Sequence, residues 1–254
     1  MDLLEIDRLS IAFAGLQALD NVTFSVREGE VLGLIGPNGA GKSTLLNCIS
    51  RVHTPSAGSV RYRGEDLLRR QIHELPALGI RRTFQNLELF KDATVRENIV
   101  LGGASRYRAS VLADLLGVSK KAEQQLAARA DKMLKVLELE AHADLRVTAL
   151  PYGLQKSVEL ARALASEPKL LLLDEPAAGM NPEESRRVGQ NIHNLQKLGI
   201  TVLLVEHDMR LVMSVCDRIV VLDHGEKIAE GAPAAVRGNP AVIAAYLGEE
   251  EAVA

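Results

Sequence analysis

Hydrophobic and polar residues alternate in short runs over the first sixty positions of the chain. Residues 3–7 and 22–26 each alternate, and the turn Glu28-Gly29 precedes a hydrophobic run at residues 30–35. A further short run covers residues 59–62. Alternation with a period of two predicts strands with one buried face, and a continuous hydrophobic run predicts a fully buried strand. We therefore expect an antiparallel meander that leads into a buried strand.

The middle of the chain has helical periodicity instead. Between residues 121 and 139, hydrophobic side chains recur every three or four positions, which is the spacing of one helix face. These side chains are Leu126, Ala130, Met133, Leu134 and Leu137. Weaker helical patches begin at residue 95, so we predict a mostly helical insertion over residues 87–165.

The last third of the chain combines short hydrophobic runs with a well-marked helix. Residues 170–173 and 200–205 are short and almost entirely hydrophobic, which is typical of parallel strands buried on both faces. Between them, Asn181 can cap a helix, Pro182 suits its first position, and Gly199 can end it. The pattern predicts an α/β fold that joins a parallel sheet to an antiparallel β unit and a helical insertion.

Composition agrees with a globular α/β protein. Of the 254 residues, 47% are hydrophobic and 25% charged, which excludes disordered and fibrous classes. Aromatic residues make up only 3%, so the core must be filled by Leu, Val, Ile and Ala. Thirty Lys and Arg against 33 Asp and Glu give a net charge of −3, which disfavours electrostatic binding to bare nucleic acid.

The cysteines and the N-terminus bear on the compartment. Cys48 and Cys216 have no metal-type spacing, and we expect both to be free thiols in the core. The chain begins with acidic residues where a signal peptide would be basic, and no stretch reaches the roughly 18 consecutive apolar residues of a membrane helix. We therefore expect a soluble, cytoplasmic protein, for which any membrane role must come through a partner.

A glycine-rich motif follows the buried strand at residues 30–35. Residues 36–44 read Gly-Pro-Asn-Gly-Ala-Gly-Lys-Ser-Thr and match Gly-x4-Gly-Lys-Ser between a strand and a helix. Such a loop points its backbone N–H groups at phosphate oxygens, while Lys42 neutralises the β and γ phosphates and Ser43 offers a hydroxyl to Mg²⁺. The residues expected to bind a nucleoside triphosphate are Gly36, Asn38, Gly39, Ala40, Gly41, Lys42, Ser43 and Thr44.

Two acidic residues follow the hydrophobic run at residues 170–173. We expect Asp174 to face the metal held by Ser43, and Glu175 to lie where a water molecule can stand in line with the γ phosphate. This pair predicts hydrolysis of the nucleotide. An Asn-Lys-x-Asp element for guanine is absent from the sequence, so ATP is favoured over GTP.

Taken together, residues 3–248 resemble the ATP-binding cassette (ABC) ATPases, the motor subunits of membrane transporters. The resemblance implies a P-loop NTPase (RecA-like) core with an antiparallel β subdomain and a helical insertion. It also implies that Gln85 contacts Mg²⁺ and the attacking water, that His207 contacts the γ phosphate, and that Phe13 stacks on adenine.

Two motifs depart from the pattern of this family. Its signature, usually Leu-Ser-Gly-Gly-Gln, appears as residues 151–155, where Tyr152 replaces the serine that binds the nucleotide of the opposite subunit. Gly153 and Gln155 match the pattern. A loop that usually ends in Asp ends here in Asn181. The resemblance then implies that a tyrosine hydroxyl donates from a longer arm, and that an amide links the two ATP sites.

The resemblance further implies an organisation and a set of partners. Residues 1–248 form one ABC ATPase domain, with a nucleotide-binding core and β subdomain at 1–86 and 166–248, a helical subdomain at 87–165, and an acidic tail at 249–254. The implied partners are a second ABC ATPase subunit facing it head to tail, integral membrane permease subunits, and indirectly a solute-binding protein. The implied location is the inner face of the cell membrane, as a peripheral protein.

Four segments resemble the ATP-binding subunits of branched-chain (hydrophobic) amino-acid importers. They are residues 82–86 (Arg-Thr-Phe-Gln-Asn), 152–155, 175–182 and 245–248 (Ala-Tyr-Leu-Gly). Subunits for urea uptake and lipopolysaccharide export share parts of them, and a non-transport ABC ATPase or a nucleotide-binding scaffold without hydrolysis remains an alternative. We expect the permease to contact residues 86–95, where Leu87, Leu89 and Phe90 are candidates for exposed hydrophobic residues.

Overall fold

A computed structural model describes residues 1–83, 87–104 and 118–252. Its strands are β1 (Asp2–Phe13), β2 (Leu16–Arg27), β3 (Val31–Ile35), β4 (Ala57–Tyr62), β5 (Glu65–Asp66), β6 (Ile80–Arg82), β7 (Leu170–Asp174), β8 (Thr201–Val205), β9 (Arg218–Asp223) and β10 (Glu226–Gly231). Its α-helices are α1 (Lys42–Ile49), α2 (Leu75–Leu78), α3 (Val95–Ala104), α4 (Val118–Val136), α5 (Tyr152–Leu164), α6 (Pro182–Lys197), α7 (Met209–Val215), α8 (Pro233–Arg237) and α9 (Pro240–Ala252).

The larger sheet has six strands in the order β10-β9-β3-β8-β7-β6. Strands β9, β3, β8, β7 and β6 run parallel, and β10 pairs antiparallel with β9 at one edge. Every residue of β3 and β8 is buried, as their continuous hydrophobic runs predict. The predicted parallel sheet is therefore confirmed. Other elements pack against both faces of its central strands: helices on one face, and the smaller sheet with α1 on the other.

The smaller sheet is antiparallel in the order β2-β1-β4-β5. The predicted antiparallel pairing of the N-terminal strands is confirmed, but β1 and β2 each have 12 residues and are much longer than predicted. Bulges explain the difference, because the register between them shifts between Ile6 and Leu9 and again near Ile11. Each shift changes which face the following side chains point to, so the alternation that marks a strand is interrupted.

The predicted buried strand that follows the antiparallel strands is β3, and it lies in the parallel sheet. The two sheets share one hydrophobic core, in which Leu32 and Leu34 of β3 pack with residues of β1, β2 and α1. The alternate residues Val31 and Ile35 face the opposite side, where they pack with α5, α6 and α7. Alternation along β3 thus divides the core into two layers.

The described residues between 87 and 165 are helical or irregular, apart from one isolated bridge between Thr94 and Arg146. The predicted hydrophobic face of α4 is confirmed, since Ala130, Met133 and Leu134 are buried against α3 and α5. An ion pair between Arg96 and Asp131 joins α3 to α4 on the outside. The division of the chain into subdomains at residues 87 and 165 remains a prediction.

The helix α6 begins and ends as predicted. The side chain of Asn181 accepts hydrogen bonds from the amides of Glu183 and Glu184, each at 3.0 Å. In turn, the amide of Asn181 donates to Glu184 Oε2 at 3.0 Å. Gly199 follows the helix with φ 72°, which is a left-handed conformation that favours glycine. The cap fixes where the loop from β7 enters this helix.

Both cysteines are buried free thiols, as expected. Burial raises the pKa of Cys48 to about 11 and that of Cys216 to about 12. The C-terminal segment that the sequence suggested as an acidic tail continues α9 as far as Ala252. Within the described ranges, no helix is both long enough and apolar enough to cross a membrane.

Candidate functional site

The predicted nucleotide residues follow three neighbouring strands of the parallel sheet. β3 leads into the loop that starts at Gly36, β7 ends at Asp174 and leads into Glu175, and β8 leads to His207. β8 lies between β3 and β7, with Val205 opposite both Leu34 and Asp174. Carboxyl ends of adjacent parallel strands meet at one edge, and this edge is where α/β sheets bind ligands. The fold therefore gathers these motifs, which are far apart in sequence, into one region.

The phosphate loop is held in place by close backbone contacts. Gly36 has φ 148°, and a β-carbon at this position would collide with the carbonyl oxygen of Leu222. Gly41 has φ 100°, and a β-carbon there would lie 2.6 Å from the carbonyl oxygen of Ala18. The amide of Gly225 also donates to the Ala40 carbonyl at 3.2 Å. The loop thus packs against β2, β9 and the β9–β10 turn, and Gly36 and Gly41 are required by space as well as by conformation.

Lys42 lies under this loop at the start of α1. Its Nζ donates to the carbonyl oxygens of Gly36 and Pro37, both at 2.6 Å, and only 8% of the residue is exposed. Ser43 and Thr44 complete the first turn of the helix, where unpaired backbone N–H groups and the helix dipole favour an anion. A buried ammonium and a helix N-terminus therefore converge on the interior of one loop.

Asp174 is almost enclosed at the end of β7. Its Oδ2 accepts a hydrogen bond at 2.7 Å from the guanidinium of Arg82 on β6. The same guanidinium donates to Asn47 Oδ1 at 2.7 Å and to Ser50 Oγ at 2.9 Å, both at the end of α1. Sequence reasoning missed Arg82, although two consecutive arginines directly after the buried Ile80 are a signal that could have found it.

Glu175 and the loop after it are tied to the end of β8. Glu175 has φ 47°, and its amide donates to the carbonyl of Val205 at 2.9 Å. The side chain of Glu206 accepts from the amide of Ala177 at 2.8 Å and from that of His207 at 3.1 Å. These bonds hold the Glu175 and His207 loops next to each other.

Glu206 is a second residue that sequence reasoning missed. It has no exposed surface, and burial raises the pKa of its carboxyl group while the amides of Ala177, Asp208 and His207 oppose that rise. An acidic residue placed directly after a buried strand was the available signal. By contrast, the His207 side chain is 64% exposed, with Nδ1 3.8 Å from Glu206 Oε2. The imidazole can therefore meet a ligand above the sheet.

Three of the predicted binding residues begin α5 and do not belong to the carboxyl edge. The helix starts at Tyr152, within the signature residues 151–155, and the tyrosine is 45% exposed. Gly153 packs on the N-terminal turn of α6, because a β-carbon there would lie 2.8 Å from Glu184 Oε1. Gln155 donates through Nε2 to the Leu150 carbonyl at 2.8 Å. Tyr152 is thus presented to the outside of the subunit.

Phe13 ends β1 on the antiparallel sheet. It is 42% exposed, and its ring meets His53 edge-on with 5.1 Å between the centroids. The hairpin that carries it contacts the phosphate loop through Ala18. Gln85, the remaining predicted catalytic residue, lies outside the described residues.

The segment proposed for permease contact is only partly exposed. Phe90 is 53% exposed and packs under the guanidinium of Arg162, 5.4 Å from the ring centroid. Leu87 and Leu89 are half-buried, and Leu89 packs against the hydrophobic core. The expectation of exposure is therefore confirmed for Phe90 and wrong for the two leucines, because the chain folds back over α3 and α5 at this point.

The donors at the carboxyl edge suit Mg²⁺. The hydroxyl of Ser43 and the carboxylate of Asp174 are oxygen ligands, which this cation prefers. In nucleotide sites it is held by one or two carboxylates together with substrate phosphates and water. Within the described part of the chain, no three His, Cys, Asp or Glu side chains form a metal-binding cluster.

Comparison with known proteins agrees with these features. A family model for ABC transporters matches residues 19–178, and a model for branched-chain amino acid ATP-binding cassette transporters matches residues 226–252. The high-affinity branched-chain amino acid transport ATP-binding protein LivG of Salmonella typhimurium is 39% identical over 250 residues, covering 97% of this chain and 98% of LivG.

Solved structures show the same architecture. The ADP conformation of MJ1267, an ATP-binding cassette of an ABC transporter, superimposes with a TM-score of 0.85 at 35% identity, covering 98% of this chain and 99% of that one. A dimeric post-hydrolysis state of the cassette MJ0796, bound to ADP and Pi, gives a TM-score of 0.76 at 28% identity, covering 91% and 98%. The predicted fold class is confirmed.

Proposed function

This chain belongs to the ABC transporter family, and from that premise we propose that it powers the uptake of branched-chain or other hydrophobic amino acids across a membrane. As an ABC-type transporter ATPase it binds and hydrolyses ATP. The observation that carries the proposal is the meeting of the phosphate loop, Asp174-Glu175 and His207 at the carboxyl edge of one parallel sheet. The choice of solute rests on the likeness to LivG and on the family model matched by residues 226–252.

In the proposed mechanism, residues 36–44 bind the phosphates of ATP. The backbone N–H groups of the loop and the Lys42 ammonium compensate the charge of the β and γ phosphates. Ser43, Asp174 and Gln85 would hold Mg²⁺, which when bound neutralises charge on the phosphate oxygens. Phe13 would stack on the adenine ring, a role supported by its 42% exposure at the end of β1.

Two further residues act on the γ phosphate in this proposal. Glu175 orients and deprotonates the attacking water, and His207 donates to a γ-phosphate oxygen as charge develops. The left-handed backbone of Glu175 and its bond to Val205 support this role, because they fix where the carboxylate leaves the sheet. The 64% exposure of the His207 side chain supports its role, because an exposed imidazole can contact a bound ligand.

We propose that a second ATPase subunit completes the site. The exposed Tyr152 and the neighbouring residues Gly153 and Gln155 would contact the nucleotide held by the phosphate loop of the opposite subunit. The dimeric MJ0796 cassette supports such an assembly. ATP binding then closes the dimer, since its γ phosphate makes contacts on both sides, and hydrolysis removes them.

The proposed partners in the membrane are integral permease subunits, with a solute-binding protein acting through them. The exposed Phe90 and the helical region around it are the proposed contact surface. The subunit would lie on the inner face of the cell membrane as a peripheral protein.

Replacement of Glu175 by Gln tests the catalytic proposal. The amide keeps the shape of the side chain but cannot accept the proton of water, so ATP should still bind while hydrolysis falls at least about a hundredfold. The trapped ATP should hold two subunits together, which size-exclusion chromatography with light scattering detects. The matched control is Lys42→Ala, which should lose ATP binding and remain a monomer under the same conditions. Hydrolysis at the wild-type rate in Glu175→Gln would assign the base to another residue.

A further inference from the structure

One buried guanidinium connects three elements of the site. Arg82 ends β6, and its Nη2 donates to Asp174 Oδ2 at 2.7 Å at the end of β7. Its Nη1 donates to Asn47 Oδ1 at 2.7 Å and to Ser50 Oγ at 2.9 Å, at the C-terminal end of α1. The side chains of Arg82 and Asp174 are only 10% and 12% exposed. The contact is therefore made inside the protein, where water does not screen it.

The partners on α1 are arranged to accept from the guanidinium. The hydroxyl of Ser50 donates to the Leu46 carbonyl at 2.7 Å, so its proton is already used and its oxygen is left to accept. Asn47 lies about one turn beyond Ser43 on the same helix, since a turn of α-helix has 3.6 residues. The Arg82 guanidinium thus fixes the distance between the helix that carries Ser43 and the strand that ends in Asp174.

The pairing with Asp174 leaves one side of the carboxylate available. Arg82 donates to Oδ2, and Oδ1 receives no hydrogen bond from the part of the chain that the structure describes. A buried ion pair contributes little net stability compared with a hydrophobic replacement. The geometry of the pair has a clearer consequence than its energy. A planar guanidinium holds a carboxylate in one orientation, which a flexible ammonium cannot do.

We propose that Arg82 is a positioning residue for the cation site. It orients Asp174 so that Oδ1 faces the cation bound with ATP, and it keeps this carboxylate in register with Ser43. The inference rests on the proposed function, because Asp174 acts on a cation only if the chain binds a metal–nucleotide complex. In the proposed arrangement, Arg82 itself contacts neither the nucleotide nor the metal. Groups that orient metal-binding carboxylates typically change metal affinity about 10- to 100-fold when altered.

The variant Arg82→Lys tests the proposal. Lysine keeps the positive charge beside Asp174 but cannot bridge to Asn47 and Ser50 at the same time, so any loss isolates geometry from electrostatics. The probe is Mn²⁺, titrated into protein saturated with a non-hydrolysable ATP analogue and followed by electron paramagnetic resonance. We expect Mn²⁺ affinity to fall about 10-fold or more, while affinity for the metal-free analogue stays within about twofold.

A matched control lies next to Arg82 on the same strand. Arg81 donates through Nε to Ser166 Oγ at 2.7 Å, a contact on the opposite side of the strand from Asp174. Arg81→Lys should therefore leave Mn²⁺ affinity unchanged. ATP hydrolysis supplies a second measurement. In Arg82→Lys, the Mg²⁺ concentration for half-maximal hydrolysis should rise by a larger factor than the factor by which kcat falls. If Arg82 had a merely structural role, Arg82→Lys would lose nucleotide affinity equally with and without metal.

Each outcome decides the question. Unchanged Mn²⁺ affinity in Arg82→Lys, or an equal loss with and without metal, would overturn the inference while leaving the proposed function intact. If wild-type protein fails to bind the analogue, the proposed function itself is wrong and the inference falls with it. Should Arg82→Lys lose its native circular dichroism, Asn47→Ala with Ser50→Ala decides instead. That pair cuts the guanidinium from α1 but keeps its bond to Asp174, and wild-type Mn²⁺ affinity there would refute the inference.

Discussion

At the scale of single residues, the carboxyl edge of the sheet contains two enclosed acids with different partners. Asp174 is neutralised by the Arg82 guanidinium, whereas Glu206 is surrounded by backbone amides. Hydrogen bonds from amides stabilise a carboxylate without adding a counter-charge. Glu206 can therefore hold the loops of Glu175 and His207 together without placing another cation next to the proposed phosphate site.

The glycine at the start of the phosphate loop provides a residue-scale prediction. In Gly36→Ala, the new methyl group would collide with the Leu222 carbonyl, so the loop must move away from β9. We expect ATP affinity, measured by isothermal titration calorimetry, to fall at least about tenfold, which corresponds to about 1.4 kcal/mol.

Gly29→Ala is the matched control for backbone strain. Gly29 also has a left-handed φ, at 80°, but a β-carbon there meets nothing within 4 Å, and the turn lies before β3. Its substitution should cost roughly 1–2 kcal/mol of folding free energy and leave ATP affinity unchanged. Equal losses of affinity in both variants would mean that strain alone accounts for the effect.

At the scale of elements, α6 connects the loop that carries Glu175 to the rest of the molecule. Its N-terminus receives the chain from Glu175, and its first turn packs against Gly153 of α5. The acidic residues Glu183 and Glu184 lie at its positive end and Lys197 at its negative end, which favours the helix electrostatically. The start of this helix therefore lies between the loop of Glu175 and residues 152–155 at the start of α5.

The Asn181 cap allows this element to be tested. Asn181→Ala leaves the amides of Glu183 and Glu184 without their acceptor, and we expect the free energy of unfolding in urea to fall by about 1 kcal/mol. Asn181→Ser is the control, because a serine hydroxyl can accept from the same amides and should keep most of the stability. An unchanged urea midpoint in Asn181→Ala would show that the cap is replaced by another group.

At the scale of the whole molecule, the parallel sheet separates two hydrophobic layers that share its strands. One layer contains the antiparallel sheet and α1, and the other contains α5, α6 and α7. The phosphate loop belongs to the first layer. The helix α5, which begins with the signature residues, belongs to the second. A structural change in one layer can therefore affect the other layer only through the parallel sheet or through the loops at the carboxyl edge of that sheet. Tightly packed interiors transmit such strain.

Coupling to a permease gives a prediction at this scale. Reconstitution with the cognate permease in lipid vesicles should raise ATP hydrolysis several-fold, while DNA or ribosomes should leave the rate unchanged. Phe90→Ala removes an exposed ring from the proposed contact surface, so it should reduce the stimulation and leave the basal rate as it is. Phosphate release assays measure both rates. Stimulation by DNA or ribosomes in place of the permease would favour a non-transport ABC ATPase.

The sequence was most informative about the candidate site where the chemistry is carried by contiguous residues. The phosphate loop, the acids at 174 and 175, and the cap of α6 are each contained within about ten positions, and local geometry is enough to interpret them. The length of β1 could not be predicted, because bulges such as the one between Ile6 and Leu9 break the alternation. The half-burial of Leu87 and Leu89 was also missed, since it depends on α3 and α5.

By itself, the sequence determined the α/β class, the buried central strands and the phosphate-binding chemistry, because hydrophobic periodicity and short motifs depend on neighbours along the chain. Only the tertiary structure decided that Arg82 binds Asp174 and that Glu206 accepts from Ala177, across 92 and 29 positions. These pairings follow from the order of strands in the sheet. Strand order is set by packing between distant segments, which no local pattern encodes.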